Sequence, residues 1–377
     1  MNKKHIVTVI LFFNILLLFA SRNVEVQIFI LDGERVVLSS QNNFRIDDNR
    51  RRVTVNQNTL NISISNNELS INNVSYGNNV SVSSSSPITI NDIAYSGAFN
   101  LSIHRNNRIR VVNRVNLEDY VAGVIVPEIG AGSPLEALKA QAVATRTYTV
   151  RMVLDERHKA DNYDLCNTTH CQVYRGLNGQ TETSKSAVSA TANMILIKDN
   201  TPIGAFYSST CGGITEASGN LWNFQHTYLI SKADNFCIIH DEMPNWGRRH
   251  LNWERTFTFS QLQEMFAITG INSVTINKIN SSLRVDEVKI SSPTREVLIT
   301  GQYELRSKLE LPSSLFMIKT SGNNVTFIGN GHGHGVGMCQ IGAIVRAKKG
   351  QSFREILSFY FEGAEINSRY MNNFNRR

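Results

Sequence analysis

The first part of the chain alternates apolar and polar residues with a period of two. Between residues 21 and 93 the pattern recurs in VEVQIFIL, RVVLSS, RRVTVNQ, LNISIS, ELSINNV and VSVSSSSPITI, separated by Asp-Gly, Gly-Asn-Asn and Ser-Pro turns. Such alternation is typical of half-buried strands joined in hairpins. The sequence therefore predicts a small all-β domain. Because this segment holds no cluster of titratable groups, we interpret it as a binding or spacer module.

A helical pattern follows in residues 117–153, LEDYVAGVIVPEIGAGSPLEALKAQAVATRTYTVRMV. Ser133, Pro134 and Glu136 predict the start of a long helix, because they supply an N-cap, a first-turn proline and the acid of a capping box. A shorter helix is predicted over residues 117–126.

Three charged residues of this stretch are candidates for chemistry. Glu128 falls on the predicted connection between the two helices, and Lys139 and Arg146 lie two turns apart on one face of the second. Structural roles are equally open at this point. The acid could simply complement a helix dipole, and the cations could form a solvated face.

The remainder mixes strands and helices. We predict an alanine-rich helix at residues 183–194, a strand pair across Asp199-Asn200, an inserted α+β subdomain at about residues 222–326, and a closing helix in SFREILSFYF. The predicted fold class is α+β. A small β domain at residues 21–93 precedes a mixed α/β core at residues 94–377, which carries the insertion.

The first twenty residues predict export. Lys3 and Lys4 precede an uncharged apolar run at residues 6–20, which is short for a spanning helix and suits a signal peptide. Leu18 makes a poor cleavage site, so a retained N-terminal anchor is an alternative, and either outcome is extracytoplasmic. The net charge of +7, or +7 − 2 = +5 without this segment, suits an anionic polymer or a membrane surface. Nucleic acid ranks low because no basic run is interleaved with aromatic residues.

The five cysteines are Cys166, Cys171, Cys211, Cys237 and Cys339. An odd number in an exported protein argues against a simple disulfide framework. Cys166, His170 and Cys171 can close one side of a tetrahedral zinc site, with His158 or water as the fourth ligand. A disulfide from either cysteine, or free buried thiols, is the alternative.

Two further segments suit carbohydrate recognition. The first, GHGHGVGM at residues 331–338, places two histidines on one side of an extended, glycine-rich segment. We favour a wall of a substrate cleft over a metal site or a purely structural loop. The second, YSSTCGG at residues 207–213, sets hydroxyl groups beside a glycine pair. Its alternative is a loop carrying a Cys211–Cys237 disulfide.

Five motifs, in order, resemble the stage II sporulation protein D family, which also includes amidase enhancers. They are VNLEDYVAGVIVPEIG, SPLEALKAQAVATRTY, CNTTHCQVYRG, FYSSTCGGITE and GHGHGVGMCQIGA before the closing helix. The resemblance spans about residues 95–366. Two positions depart from the family pattern: Ile129 stands where methionine is usual, and Ile341 stands where a tryptophan could stack on sugar.

The resemblance implies a peptidoglycan lytic transglycosylase, a lyase that cleaves the MurNAc-GlcNAc bond of glycan strands, typically strands stripped of stem peptides. It implies Glu128 as the catalytic acid and Lys139 and Arg146 as supporting cations. It also implies a zinc ion, which we expect to be structural, at Cys166, His170 and Cys171. The substrate-binding residues it implies are Tyr207, Ser209, Gly212, Gly213, His332, His334, Gly335 and Gln340.

A single carboxylate suffices for this reaction, because the C6 hydroxyl of the substrate is the nucleophile and a 1,6-anhydro ring forms. The acid must begin protonated, so burial should raise the pKa of Glu128. We therefore expect Lys139 and Arg146 to contact the acetamido or lactyl oxygens of the sugar, or to stabilise Glu128 after it has donated its proton. Arg146 suits a lactyl carboxylate, because its guanidinium matches two oxygens.

Three other functions are compatible with the sequence. The chain could be a non-catalytic wall-binding protein that activates a cell-wall amidase. It could be a zinc hydrolase that uses His332 and His334 with the cysteine–histidine motif. It could also be a structural envelope protein whose β domain carries the function.

Overall fold

In a computed structural model, the chain is described over residues 23–31, 35–222 and 224–374. The predicted targeting segment at residues 1–20 lies outside these residues. Within the described ranges, no helix combines the length and apolar character needed to cross a bilayer.

Two antiparallel sheets form the N-terminal β domain. Their strands are β1 (Asn23–Leu31), β2 (Val36–Ser40), β3 (Phe44–Asp47), β4 (Arg52–Val55), β5 (Thr59–Ser65), β6 (Glu68–Ile71), β7 (Val74–Ser75), β8 (Asn79–Ser84), β9 (Ile88–Ile90), β10 (Ile93–Tyr95), β11 (Ala98–His104) and β12 (Arg108–Asn116). One sheet has the order β1-β12-β11-β8-β3-β4 and the other the order β10-β9-β2-β5-β6-β7. Alternating apolar residues of both sheets, such as Val82 and Ile62, are buried in one core.

The sheet continues beyond residue 93, where the predicted β domain ended. β11 and β12 complete it, and the first and last strands pair from Asn23 opposite Asn116 to Leu31 opposite Ile109. A later strand, β13 (Leu165–Cys166), adds to the free edge of β1 in parallel, with Gln27 opposite Cys166. The β domain is therefore joined directly to the predicted metal-binding segment.

Two helices follow the β domain. They are α1 (Leu117–Ile129) and α2 (Leu135–Leu154). The side chain of Asn116 caps α1 by accepting from the N–H of Glu118 at 2.9 Å. The predicted cap Ser133 instead donates its hydroxyl to the carbonyl of Ile129 at 2.8 Å. α1 runs three residues past its predicted end, so Glu128 lies in the last helical turn and not on the connection.

Pro127 explains how the end of α1 binds the segment that follows the metal motif. A proline inside a helix has no N–H and leaves the carbonyl four residues earlier without its helical partner. That carbonyl, of Gly123, accepts from the N–H of Arg175 at 3.1 Å. A Cβ on Gly123 would lie only 2.5 Å from the ring of Tyr174, so glycine is needed for this approach. The segment after the metal motif is thereby docked against α1.

The remaining elements complete an α+β fold, as predicted. In chain order they are α3 (Glu182–Ala190), β14 (Ile195–Lys198), β15 (Thr201–Pro202), β16 (Tyr207–Ser208), α4 (Ser218–Leu221), α5 (Asn245–Arg248), β17 (Trp253–Thr258), α6 (Phe259–Phe266), β18 (Ser273–Ile279), β19 (Val285–Ser291), β20 (Glu296–Thr300), α7 (Gln302–Lys308), β21 (Phe316–Ser321), β22 (Asn324–Gly329), β23 (Met338–Cys339), α8 (Gln340–Lys348), α9 (Phe353–Tyr360), β24 (Glu365–Asn367) and α10 (Arg369–Phe374). Residues between Trp253 and Phe327 form a separate hydrophobic core, which is the core of the insertion.

Candidate active-site cleft

A cleft of about 1170 Å³ opens where the end of α1, the loop after β16, the glycine-rich segment before β23 and the insertion meet. Its lining includes predicted residues from several distant motifs: Glu128, Tyr207, Ser209, His332, His334 and Gln340, with the metal-ligand candidates His170 and Cys171. The fold thus places these motifs on one surface.

Backbone pairing explains how two of the motifs meet. β16 lies parallel to β23, with Tyr207 opposite Met338. Thr210 and His332 exchange backbone hydrogen bonds of 3.2 and 2.9 Å. The loop after β16 and the glycine-rich segment therefore form one continuous wall.

Glu128 reaches into the cleft from the last turn of α1. Its Oε1 accepts a 2.6 Å hydrogen bond from the N–H of Val173, on the segment docked by Arg175. Burial raises the pKa of Glu128, and the hydrogen bonds from Val173 and the Gln340 side chain only partly oppose it. The C-terminal end of a helix also disfavours a negative charge. Burial and the helix end both shift the equilibrium of the carboxyl group towards its protonated form.

Tyr207 stands beside this carboxyl group as a neutral hydroxyl. Burial, followed by the charge of Glu128, raises its pKa well above the ordinary value. Its oxygen accepts from Nε2 of Gln172 at 3.0 Å, and Gln172 is held in turn by the hydroxyl of Thr149 at 2.9 Å.

The two histidines differ in their surroundings. Nδ1 of His334 accepts from the N–H of Val336 at 3.0 Å. Burial, with Arg306 and Arg284 nearby, lowers the pKa of His334 to about 4, so the ring is neutral near pH 7. His332 is exposed, and its ring centroid lies 4.2 Å from that of His250. In the described ranges, the groups of side chains able to hold a metal ion include neither His332 nor His334, which disfavours the zinc-hydrolase alternative.

The three predicted substrate-binding glycines do not line the cleft. Gly212 and Gly213 adopt φ angles of 75° and 110°, and a Cβ on Gly212 would lie 3.0 Å from the backbone of Asn330 and Gly331. Gly335 has a φ of 78°, and a Cβ there would lie 2.3 Å from the guanidinium of Arg284. Their contribution is to the backbone shape that supports the wall.

Lys139 and Arg146 are also outside the cleft, contrary to the prediction that they contact substrate. Arg146 has no exposed side-chain surface and forms a bidentate pair with Glu118, at 2.8 and 2.6 Å. Lys139 pairs with Glu136 at 2.6 Å, and Glu136 also accepts from the N–H of Phe353. Sequence periodicity placed both cations on one face but could not show that each had its own carboxylate.

The cleft contains cations and aromatic residues that the sequence reading did not assign to it. They are Arg157, Arg306, Tyr148, Phe206, Trp222, Phe224, Trp246, His250 and Tyr303. Trp222 and Trp246 precede the separate core of the insertion, and Tyr303 and Arg306 belong to α7. The sequence showed that the inserted loops are rich in aromatic residues. It did not show that these residues would lie near Glu128.

The predicted zinc ligands converge at the edge of the cleft. Nδ1 of His170 lies 3.5 Å from the sulfur atoms of both Cys166 and Cys171, and Nε2 of His158 lies 3.3 Å from the sulfur of Cys171. A tetrahedral zinc ion with ordinary bond lengths places nitrogen and sulfur ligands about 3.5 Å apart. Ligand atoms of His158, His170 and Cys171 all lie within 4.8 Å of one another, and these three fit zinc. Cys166, supplied by β13 at the edge of the β-domain sheet, is within 3.5 Å of His170 but lies outside that group of three.

Comparison with known proteins agrees with the motifs. A family model described as stage II sporulation protein matches residues 105–197, which contain α1, α2 and the metal motif. The stage II sporulation protein D of Bacillus subtilis is 32% identical, in an alignment covering 68% of this chain and 75% of that protein. The chain belongs to the stage II sporulation protein D family.

Other relatives extend the comparison. An uncharacterised protein of Brachyspira hyodysenteriae is 33% identical over 74% of this chain and 73% of its own. An amidase enhancer of Bacillus subtilis is 30% identical over 82% of this chain, which spans about 50% of that protein. Residues 214–337, which include the insertion, match a model described as a domain of unknown function.

Proposed function

We propose that this family member is a peptidoglycan lytic transglycosylase in which Glu128 is the single acid and base. The proposed substrate is a glycan strand, stripped of stem peptides, outside the cytoplasm. Membership of the stage II sporulation protein D family and the likeness to an amidase enhancer support a role in cell-wall metabolism.

One observation carries the reaction type. Among the described residues that line the cleft, Glu128 is the only carboxylate. A glycosidase that hydrolyses its substrate ordinarily places two carboxyl groups across the bond. A transglycosylase needs one, because the substrate supplies its own nucleophile. The raised pKa of Glu128 suits a group that must begin the cycle protonated.

The geometry suggests which oxygen transfers the proton. Oε1 accepts from the N–H of Val173, so Oε2 carries the proton and gives it to the glycosidic oxygen. The bond from C1 to that oxygen breaks as the C6 hydroxyl oxygen bonds to C1. The carboxylate then takes the proton of the C6 hydroxyl, which restores the acid without consuming water.

Cleft residues other than those predicted would bind the sugar. The side-chain oxygen of Ser208 and Nε of Arg306 are buried without a hydrogen-bond partner in the described structure. Both residues line the cleft, and substrate binding would have to expose these two atoms before they could bond to sugar oxygens. Arg306 lies in the cleft and Arg146 does not, so we assign to Arg306 the contact with a lactyl carboxylate that the sequence suggested for Arg146. Trp222 and Trp246 offer faces on which sugar rings can pack.

Zinc bound by His158, Cys166, His170 and Cys171 would have a structural role in this proposal. A closed set of four protein ligands leaves no position for a water nucleophile. The ligands tie β13 to the segment that supplies the N–H of Val173 to Glu128.

Product analysis tests the proposal. Purified glycan strands, with and without stem peptides, are digested with the wild type, with Glu128→Gln and with the control Glu182→Gln, whose carboxylate is 91% exposed on α3. We expect 1,6-anhydro ends by mass spectrometry from the wild type and the control, and none from Glu128→Gln. Hydrated reducing ends from the wild type would contradict the proposal.

A second candidate is activation of a cell-wall amidase without glycan cleavage, which the likeness to an amidase enhancer favours. In that case neither substrate is cleaved by the wild type. Instead, the wild type and Glu128→Gln would equally increase the release of stem peptides by an added amidase.

A further inference from the structure

A second cluster of metal-ligand side chains lies in the interior behind the cleft wall. Cys211, Asp234, Cys237 and Cys339 are all buried, and one ligand atom of each lies within 4.8 Å of the others. They come from three separate segments: the loop after β16, the start of the inserted region, and the first residue before α8. No sequence motif joins them, since 128 residues separate Cys211 from Cys339.

The spacing of the atoms resembles that of a metal site. In a tetrahedral zinc site, sulfur ligands lie about 3.8 Å from each other and about 3.6 Å from a carboxylate oxygen. The sulfur of Cys211 lies 3.6 Å from Oδ2 of Asp234 and 3.2 Å from the sulfur of Cys237. Small shifts would admit an ion at the centre.

Backbone N–H groups already surround the sulfur atoms. The N–H of Gly213 lies 3.0 Å from the sulfur of Cys237. The sulfur of Cys339 accepts from the N–H of Cys211 at 3.2 Å and from that of Gly342 at 3.3 Å. N–H groups directed at sulfur are the kind of outer contact that holds cysteine ligands in place around a metal ion. The positive φ angles of Gly212 and Gly213 create this arrangement.

The charges of the surroundings also suit a divalent cation. Three thiolates and one carboxylate carry a formal charge of −4, which a divalent cation reduces to −2. Two buried guanidinium groups face the cluster: Arg346 pairs with Asp234 at 2.9 Å, and Arg284 donates to the carbonyl of Cys211 at 2.8 Å. Glu216, the other carboxylate near Arg284, accepts its own hydrogen bonds from Ser282, Asn280 and Gln302.

A disulfide between Cys211 and Cys237 explains fewer of these contacts. It would use two of the three converging thiols. The two N–H groups that point at the sulfur of Cys339 would then contact a thiol outside the disulfide. The disulfide would also remove the negative charge that faces Arg284. A metal ion uses all three thiols and, with the site at the cleft edge, accounts for all five cysteines.

We propose that Cys211, Asp234, Cys237 and Cys339 form a second, structural zinc site. Its effect is to fix the cleft wall, because the same segments hold the catalytic surface together. Thr210 pairs with His332, and the N–H of Ile341, which follows Gln340 in α8, donates to the carbonyl of Ser209 at 3.1 Å. The ion would thus hold together the two segments of the wall, the loop after β16 and the glycine-rich segment before β23, from the side opposite the cleft.

Metal analysis of a chain that lacks the first site tests this proposal with the second cluster intact. The full-length variant Cys166→Ser/Cys171→Ser is purified from zinc-supplemented culture, freed of loosely bound ions, and measured by inductively coupled plasma mass spectrometry. We expect one zinc per chain. Adding Cys339→Ser should reduce the content to zero, while adding the control Ser189→Ala on α3 should leave it at one.

Peptide mapping of the wild type gives a readout that does not depend on the folding of a variant. After denaturation with a chelator and no reductant, Cys211, Cys237 and Cys339 should all be alkylated. A Cys211–Cys237 disulfide in this map overturns the proposal. So does zinc-free Cys166→Ser/Cys171→Ser protein whose circular dichroism matches that of the wild type.

Discussion

The two ends of α1 carry glutamates with opposite surroundings. At the N-terminal end, Glu118 forms a bidentate pair with the fully buried Arg146, and the helix dipole favours its negative charge. At the C-terminal end, Glu128 is paired with no cation among the described residues and is contacted by neutral donors. The same residue type therefore joins two helices at one end and, at the other, faces the cleft with a raised pKa.

This difference shows that the position of cations, more than the carboxylate itself, separates an ion-paired glutamate from one whose pKa is raised by burial. Arg146 and Lys139, the cations that the sequence associated with Glu128, are occupied by Glu118 and Glu136. Because neither cation lies beside Glu128, neither opposes the effect of burial, which raises the pKa of its carboxyl group.

The largest expected effect is kinetic and belongs to the C-terminal end. Glu128→Gln keeps the size and hydrogen-bonding capacity of the side chain but removes the transferable proton. We expect the turnover rate on glycan strands to fall about 10²- to 10⁴-fold, the usual range for loss of a general acid or base. Initial rates of anhydro-sugar formation measure it. Turnover within threefold of the wild type would exclude Glu128 as the acid.

The next effect concerns stability and belongs to the N-terminal end. Arg146→Met leaves the carboxylate of Glu118 without its buried partner, which should lower the free energy of unfolding by about 3–5 kcal/mol. Urea denaturation followed by circular dichroism measures the change. Glu118→Gln/Arg146→Met should recover part of the loss, because no unpaired charge remains. An Arg146→Met protein that is fully stable but inactive would instead support a direct contact with substrate.

The pH dependence of stability should distinguish the two ends further. Because the pKa of Glu128 is raised in the folded state, the folded protein holds this proton more tightly than the unfolded chain. Its contribution to stability is therefore fully present below the ordinary value of 4.5 and is lost as pH rises through the raised pKa. Glu128→Gln should remove this decline. Urea denaturation of both proteins at several pH values tests it, and parallel curves would contradict the raised pKa.

The smallest effect is expected for Lys139. Its side chain and that of Glu136 are 19% and 32% exposed, so solvent screens their pairing. Lys139→Met should lower the free energy of unfolding by only about 0.5 kcal/mol and leave turnover unchanged. A loss of turnover comparable with that of Glu128→Gln would restore Lys139 to the catalytic group and show that the cleft differs when substrate is bound.

The sequence alone determined the features that depend on local chemistry. Alternation predicted strands in the β domain, and helical periodicity predicted α1 and α2, although the local pattern ended α1 too early. The spacing of Cys166, His170 and Cys171 predicted ligands that can meet, because few residues separate them. The α+β class and the family followed from motifs that each occupy a short segment.

Only the tertiary structure decided which charges pair and which residues share the cleft. Pro127 illustrates the reason, since it frees the carbonyl of Gly123 for the N–H of Arg175 and so brings Val173 to Glu128. The partners of Arg146 and the convergence of Cys211, Asp234, Cys237 and Cys339 likewise join distant segments. Pairing and burial depend on contacts that form only when the chain folds. Local sequence patterns do not show which distant segments will lie close together.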